Sequence, residues 1–530
     1  MTATFLSYNV ASRAMEASQA SINIVGNNIS NVNTEGYTRQ RVDIVSVTTS
    51  GMVEKYATPK VSTGIGAKAK GTTQLRDPYI DARYRTQNAE TNRYATMVKG
   101  LTNLEDIFDE ASTEALQGEL SSYINDLQSL SQSPTSSDIA QVARSAAEKV
   151  TQVINMYATQ LEEVRTEQTE NMEVVVKSEF NTYVKNIASL NKQIQKEEIY
   201  GNTPNELYDQ RNLLIDKLSG VVNIEVSMAP ADVISENLSI PHYSIKIKNQ
   251  SGGDDIILVD NGKYSEMSLD SETDPLNVQL KIVDTAGAER SGINGNVIDG
   301  SLRGYLNLIN GKGSFANTAL NESDSKGIFY YTQKMNIFAK QFATEMNKIN
   351  SDVAGPDGVP GSAGELNLFS DASGVAITNI TAKNLQVSAE WLKNPSYINT
   401  TKYPELNPAP VGYKATPANA DNVLRMIEKM SDKIAFKDDS GKTILNGTFN
   451  EYMTSVVSEV ATDVELHTNF SKTASNVFLT ISDARDSVAG VSLNEEGVNL
   501  SAFQKVYNAA MRYFNVLDEN LDNIINKMGV

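Results

Sequence analysis

Cysteine is absent from this 530-residue chain, and histidine occurs only twice, at His242 and His467. The first absence excludes disulfide scaffolds, zinc–thiolate centres and thiol nucleophiles together. The second leaves little room for general-base or imidazole–metal chemistry. A complete lack of cysteine is more usual in an exported structural chain than in a cytosolic enzyme of this length. Basic excess is missing too. Lys and Arg number 46 against 65 Asp and Glu, a formal net charge of −19, so the phosphate-neutralising face that nucleic-acid binding needs is not expected. No apolar run reaches the roughly 18 residues of a membrane span. The start has no basic region followed by an apolar one, so a cleaved secretory signal is not expected either. The length suffices for several domains.

What the chain does have is a heptad-spaced stripe at each end. Tyr8, Ala11, Met15, Ser18, Ile22, Val25, Ile29 and Val32 alternate steps of three and four, with Ser18 the polar exception. Leu500, Phe503, Tyr507, Ala510, Phe514, Leu517, Leu521, Ile524 and Met528 do the same without a break. That spacing aligns the side chains along one face of a helix, as in coiled-coil packing. Charge divides the chain in the same way. Residues 1–45 and 497–530 each carry three basic and three acidic groups, so the middle carries the whole imbalance. Neutral ends can pack densely, and a charged middle keeps the free chain soluble.

Between the ends the period changes several times. Asn27, Asn28, Asn31 and Asn33, followed by Gly36, predict a turn after the first stripe, because Asn competes for backbone bonds and Gly admits positive φ. Alternation over Thr38–Ile44 predicts a short strand. A long helical zone follows from about Ala82 to Gly220, through Met97, Leu101, Leu104, Phe108 and Ala111, then Leu116, Leu120, Tyr123, Leu127 and Leu130. Ser133-Pro134 breaks it, with Ser137 or Asp138 available as the next cap, and Thr203-Pro204-Asn205-Glu206 reads as a capping box. Over Val221–Gly300 the period is two, with turns at Gly252-Gly253 and Asn261-Gly262, which predicts a small β domain. Helices return over Gly304–Asn350, Asn422–Met430 and Tyr452–Ala484. The segment with Gly355-Pro356-Asp357-Gly358 and the lone Trp391 is loop-rich.

No catalytic constellation stands out. Gly64-Ile65-Gly66 lacks the spacing and the following helix of a dinucleotide fingerprint. Gly441-Lys442-Thr443 resembles the end of a P-loop, but Phe436 stands where the first glycine belongs, and a β-turn at Asp438-Asp439-Ser440-Gly441 is the better reading. His467 has no partner four residues away, and His242 lies in strand-like sequence. Asp254-Asp255 reads as a solvated turn. Neither a cofactor nor a metal site is predicted, and the chain is not read as an enzyme.

Ala20 to Arg39, with Asn27, Asn28, Asn31, Gly36 and Tyr37, closely resembles the signature of bacterial flagellar rod, hook and hook-associated proteins. Ser492-Leu493-Asn494-Glu495-Glu496-Gly497-Val498-Asn499-Leu500, followed by Phe503, Tyr507 and Ala510, resembles the other half of that signature. Asn205-Glu206-Leu207-Tyr208-Asp209-Gln210-Arg211, continuing to Leu218-Ser219-Gly220, looks like a motif of the hook-associated protein 1 family, the first hook–filament junction proteins. The resemblance is strong over the ends and the helical region, and weak over residues 226–302 and 371–420.

The resemblance implies an α+β, mainly α fold: coiled-coil-like terminal helices (1–45 with 497–530), a long-helix domain (46–220, 301–350 and 421–496), a β-rich outer domain (221–300) and a mixed segment (351–420). It implies a structural adaptor between flagellar hook and filament, exported by the flagellar type III apparatus and polymerising through its terminal helices. The partners would be copies of itself, the hook protein, the next hook-associated protein and a cytosolic chaperone that covers the C-terminal helix before export. The location would be extracellular, at the hook–filament junction. Another axial component, such as a hook or distal-rod protein, and a secreted helical adhesin are the alternatives.

Overall fold

The computed structural model describes residues 2–47, 64–108, 110–235, 238–249, 254–270, 277–316, 324–374 and 379–527. Helix α1 (Thr2–Ser30) leads into a hairpin arm, β1 (Gln40–Ser46) with β2 (Ala67–Gln74). Long helices α2 (Pro78–Ile107), α3 (Glu110–Gln132) and α4 (Ser137–Val174) follow, then a π-helical turn (Val175–Phe180), α5 (Asn181–Ile199) and α6 (Asn205–Val221). Strands β3 (Glu225–Ser235), β4 (Leu238–Ile247), β5 (Ile256–Asp260) and β6 (Lys263–Tyr264) form one antiparallel sheet. Strands β7 (Glu266–Asp270), β8 (Gln279–Val283) and β9 (Glu289–Ser291) form a second. After α7 (Ser301–Asn310) and α8 (Ile328–Ser351) comes the mixed segment, with β10 (Phe369–Ser370) paired to β11 (Gln386–Val387) and the short α9 (Ala389–Lys393). The chain closes with α10 (Asp421–Ser431), a hairpin of β12 (Ile434–Lys437) and β13 (Thr443–Gly447), α11 (Phe449–Ala489) and α12 (Leu493–Asp522). This is a mainly α fold with small inserted sheets.

Local chemistry explains the helix starts. Asp77 accepts the amide of Tyr79 at 2.8 Å and Pro78 takes the first turn of α2, where its missing N–H costs nothing. Thr448 and Glu451 form a reciprocal capping box on α11. Two caps differ from the sequence reading. Ser136, not Ser137 or Asp138, caps α4. The expected box at Thr203–Glu206 does not form: α6 starts at Asn205, so Pro204, which has no side-chain acceptor, takes the cap position and Thr203 falls outside it. The turn predicted at the first asparagines begins later, since α1 runs through Asn27 and Asn28 to Ser30. Asp438 to Gly441 is a turn, as expected, closing the β12–β13 hairpin. Gly252 and Gly253 lie outside the described residues.

Two apolar cores result. The first gathers the buried faces of α2, α3, α4, α8, α9, α10 and α11, including Leu101, Leu104, Tyr123, Leu127, Phe342 and Trp391. Trp391 is fully buried, edge-on to Phe369 at 5.8 Å. On α4 the buried line includes Ala140, Ala143 and Ala147, while Val142 is exposed. Small side chains let α4 approach its neighbours closely. The second core joins the π turn, α5, α6 and α7 to both sheets through Phe180, Ile187, Leu218, Ile245 and Leu280. Close approach also fixes α7. A Cβ on Gly304 would stand 2.8 Å from the carbonyl of Arg93 on α2. Gly300, with φ +94°, leaves only 2.3 Å between such a Cβ and the carbonyl of Val221. Among the described residues, neither core contains a side chain of α1 or α12.

Candidate functional site

The terminal helices pack on each other. Tyr8 of α1 meets Phe514 of α12 edge-on at 4.5 Å, and its hydroxyl donates to Asp518 at 2.9 Å. At the other end Asn28 donates to Glu496 at 3.1 Å. Low numbers pair with high ones, so the pair is antiparallel. Ala11, Ala17, Ser18, Ser21, Val25 and Asn28 are the buried side chains of α1, and Glu496, Ala510 and Leu517 those of α12. The buried hydroxyls return their protons to the helix: Ser18 donates to the carbonyl of Ala14, and Ser21 to that of Ala17.

Of the expected assembly residues, Ala11, Val25, Ala510 and Leu517 are buried within this chain. Met15, Ile22, Ile29, Val32, Leu500, Phe503, Tyr507, Phe514 and Leu521 are half-buried. They flank the contact with part of their apolar surface still exposed. The side chain of Ile524 and all of Met528 lie outside the described residues. On α12 a further set of apolar side chains, Val498, Val506, Tyr513 and Val516, stands exposed.

The pair is anchored to the body by a polar elbow. Asn28, 1% exposed, makes four hydrogen bonds. It donates to Glu496 and to the carbonyl of Gln40, and accepts from the amide of Gln40 and the hydroxyl of Tyr37. Arg39 grips Glu496 at 2.7 Å and Glu495 at 2.8 Å. Burial, then the charges of Asp209, Glu206 and Glu496, push Tyr37 up to about 12, so its hydroxyl keeps the proton it donates. Asp209 accepts from the amide of Thr38 at 3.2 Å and from Gln74 at 2.9 Å, tying α6 to the arm. Burial raises its pKa despite those bonds. Asn27 and Asn31 bond to one another, and Gly36 turns the chain at φ +79° beside Leu213. Arg211 lies elsewhere, in a cavity beside the β sheet.

Below the elbow runs a buried chain of charges. Arg76 holds Asp81 at 3.0 Å, Arg485 reaches both Asp81 (2.9 Å) and Asp216 (2.6 Å), and Arg85 holds Asp216 at 2.8 Å. Burial opposes the charge of Asp81, but Arg76, Arg485 and Arg85 outweigh it and hold its pKa below the usual range. This cluster locks α2, α6 and α11 together under the terminal pair, and the sequence reading missed it. Glu496 was legible in principle. It falls four residues before Leu500, in step with the apolar stripe, and a charge there needs a buried partner. Both histidines are structural. His242 contacts Asp260 at 2.7 Å, and His467 lies beside the rings of Tyr94 and Phe470. Asp255 is taken by Lys246 at 2.7 Å. Among the described residues no group of three or more potential ligands could hold a metal, and no helix is long and apolar enough to cross a membrane.

A chain whose two ends pair beside a nested helical body has the build of a structural subunit, and comparison with known proteins agrees. Residues 9–38 match the family described as flagella basal body rod protein. Residues 101–365, half of the chain, match the helical domain of flagellar hook-associated protein FlgK. Flagellar hook-associated protein 1 of Bacillus subtilis is 29% identical over 542 residues, covering 100% of this chain and 99% of that one. The protein of the same name in Escherichia coli is 24% identical, with 98% and 99% covered. The flagellar hook junction protein FlgK from Burkholderia pseudomallei superposes with a TM-score of 0.57 at 14% identity, over 77% of this chain and all of that one. This chain belongs to the FlgK family of flagellar hook-associated proteins, a structural family rather than an enzymatic one.

Proposed function

We propose that the chain is the adaptor between flagellar hook and filament, exported unfolded through the flagellar type III apparatus and polymerised through its terminal helices. The observation that carries this is the half-used apolar surface of the terminal pair. α1 covers one line of α12, while Val498, Val506, Tyr513 and Val516 stand exposed beside it. Exposed apolar side chains aligned along a helix favour a neighbouring protein surface, and copies of the same chain offer one. Full burial of one such side chain contributes roughly 1.5–3 kcal/mol, so a few neighbours suffice to order the layer. The remaining partners are the hook protein on one side and the next hook-associated protein on the other. A cytosolic chaperone would shield the same stripe before export, as a groove shields an amphipathic helix.

Electron microscopy of cells lacking this gene, with flagellin assayed in the medium, tests the reading. Complete hooks without filaments, and flagellin lost to the medium, are expected. Stunted hooks would move the chain down to the rod or hook, and normal filaments would overturn the assignment.

A further inference from the structure

Arg211 sits on α6, 7% exposed. Its guanidinium stacks 3.9 Å from the ring centre of Tyr243 and 5.4 Å from that of Tyr208. Nη1 donates to Asn191 at 3.1 Å. Nε has no partner, and the residue forms no ion pair among the described residues. Its neighbours are different: Arg76 is held by Asp81 and Arg85 by Asp216. Glu198, whose charge Arg211 feels, has an oxygen committed to the hydroxyl of Tyr208 at 2.6 Å. Burial lowers the pKa of Arg211, yet a guanidinium remains charged at neutral pH. A buried cation without a carboxylate partner is costly, so a fold that keeps one has a use for it.

The side chain lines an open-mouthed cavity of ≈ 890 Å³ between the hairpin arm, α2, α5, α6 and the β3–β6 sheet. That volume suits a small organic ligand. Ile194, Ile224 and Ile298 supply apolar wall, and the amide of Asn212 supplies an orienting polar group. We propose that this cavity binds a small organic monocarboxylate, with the carboxylate on the Arg211 fork and the apolar body against Tyr243 and the isoleucine wall. A planar guanidinium with free donors matches a carboxylate in two parallel hydrogen bonds. A phosphate dianion is the poorer fit, because Asp81, Glu198, Glu225 and Asp299 balance Arg76, Arg85, Arg211 and Lys248 around the space and leave no net positive charge for a second negative one.

The test is isothermal titration of the full-length chain at pH 7 with phenylacetate, and separately with inorganic phosphate. Saturable 1:1 binding of phenylacetate at millimolar concentrations is expected, with none for phosphate. Arg211→Met should weaken phenylacetate at least about tenfold, equivalent to about 1.4 kcal/mol for the lost charge-assisted pair. The same variant, free of ligand, should melt at an unchanged or higher temperature, since it removes an unpaired buried charge. Ile224→Trp, which fills the space without touching the cation, should also abolish binding. The proposal is overturned by absence of saturation, by equal affinity for phosphate, by unaltered binding in either variant, or by a lower melting temperature for Arg211→Met. That last result would make the guanidinium a purely structural group.

Discussion

Asn28 shows how much one side chain can hold at the residue scale. Its amide donates to Glu496 and accepts from Gln40 and Tyr37, which requires one donor end and one acceptor end. Asn28→Asp loses the donor end and sets a second carboxylate against the buried Glu496. We expect the docking of the terminal pair to weaken by about 3 kcal/mol. Hydrogen exchange should show faster opening of α12 and an unaltered inner body; equal protection of α12 would refute the role. Glu459 supplies a pH test. Burial would raise its pKa, but Lys326, Lys334 and the Tyr330 hydroxyl hold it below the ordinary 4.5, with Lys326 at 2.8 Å and Lys334 at 3.2 Å. A carboxyl depressed by folding stabilises fully above its unfolded pKa, and the contribution is lost as pH falls through the folded one. The melting temperature should therefore drop as pH falls below about 4.5, and Glu459→Gln should flatten that decline. An unchanged acid slope in the variant would remove Glu459 from the account.

At the scale of elements, the antiparallel α1–α12 pair is thin. Beyond the polar Asn28–Glu496 pair, its interior is built from alanine, serine, one valine and one leucine, and an isolated two-helix contact of this kind is marginal. Within the chain the elbow and the hairpin arm support α1, and the proposed assembly would cover the rest of the pair. Leu517, 8% exposed, is the largest apolar side chain buried on α12. Leu517→Asp removes roughly 2 kcal/mol of burial and places a charge in the contact. It should abolish incorporation into filaments while the inner body melts as before; Phe514→Asp, opposite Tyr8, should behave alike. A tagged variant still found in filaments would contradict this account of assembly.

For the whole molecule, the separation of the cores from the ends is the governing fact. Both apolar cores close without α1 or α12, and the buried Asp81–Arg485–Asp216–Arg85 chain lies inside α2, α6 and α11. A fragment of residues 75–490 should accordingly fold alone, with a single cooperative melt near that of the full chain, and should fail to assemble. Loss of a cooperative melt would show that the ends are part of the folding unit. This division suits the proposed route, in which the chain would thread an export channel and order its ends last.

Much of this was legible from the amino-acid order alone. Heptad spacing at both termini and the change of period over residues 221–300 determined that helices would flank small sheets, because local periodicity sets which side chains share a face. The terminal signatures placed the chain among flagellar axial proteins. Spacing could not choose which flank of α1 meets α12. The structure buries Ser21 and Asn28 and leaves Met15, Ile22 and Ile29 half-covered, a choice made by the close approach that small residues allow. Nor could it reveal that Asn28 would meet Glu496, 468 positions away, or that Arg211 would face a cavity. Whether a polar group is buried, paired or free depends on partners delivered by other elements, and only the tertiary structure brings them together.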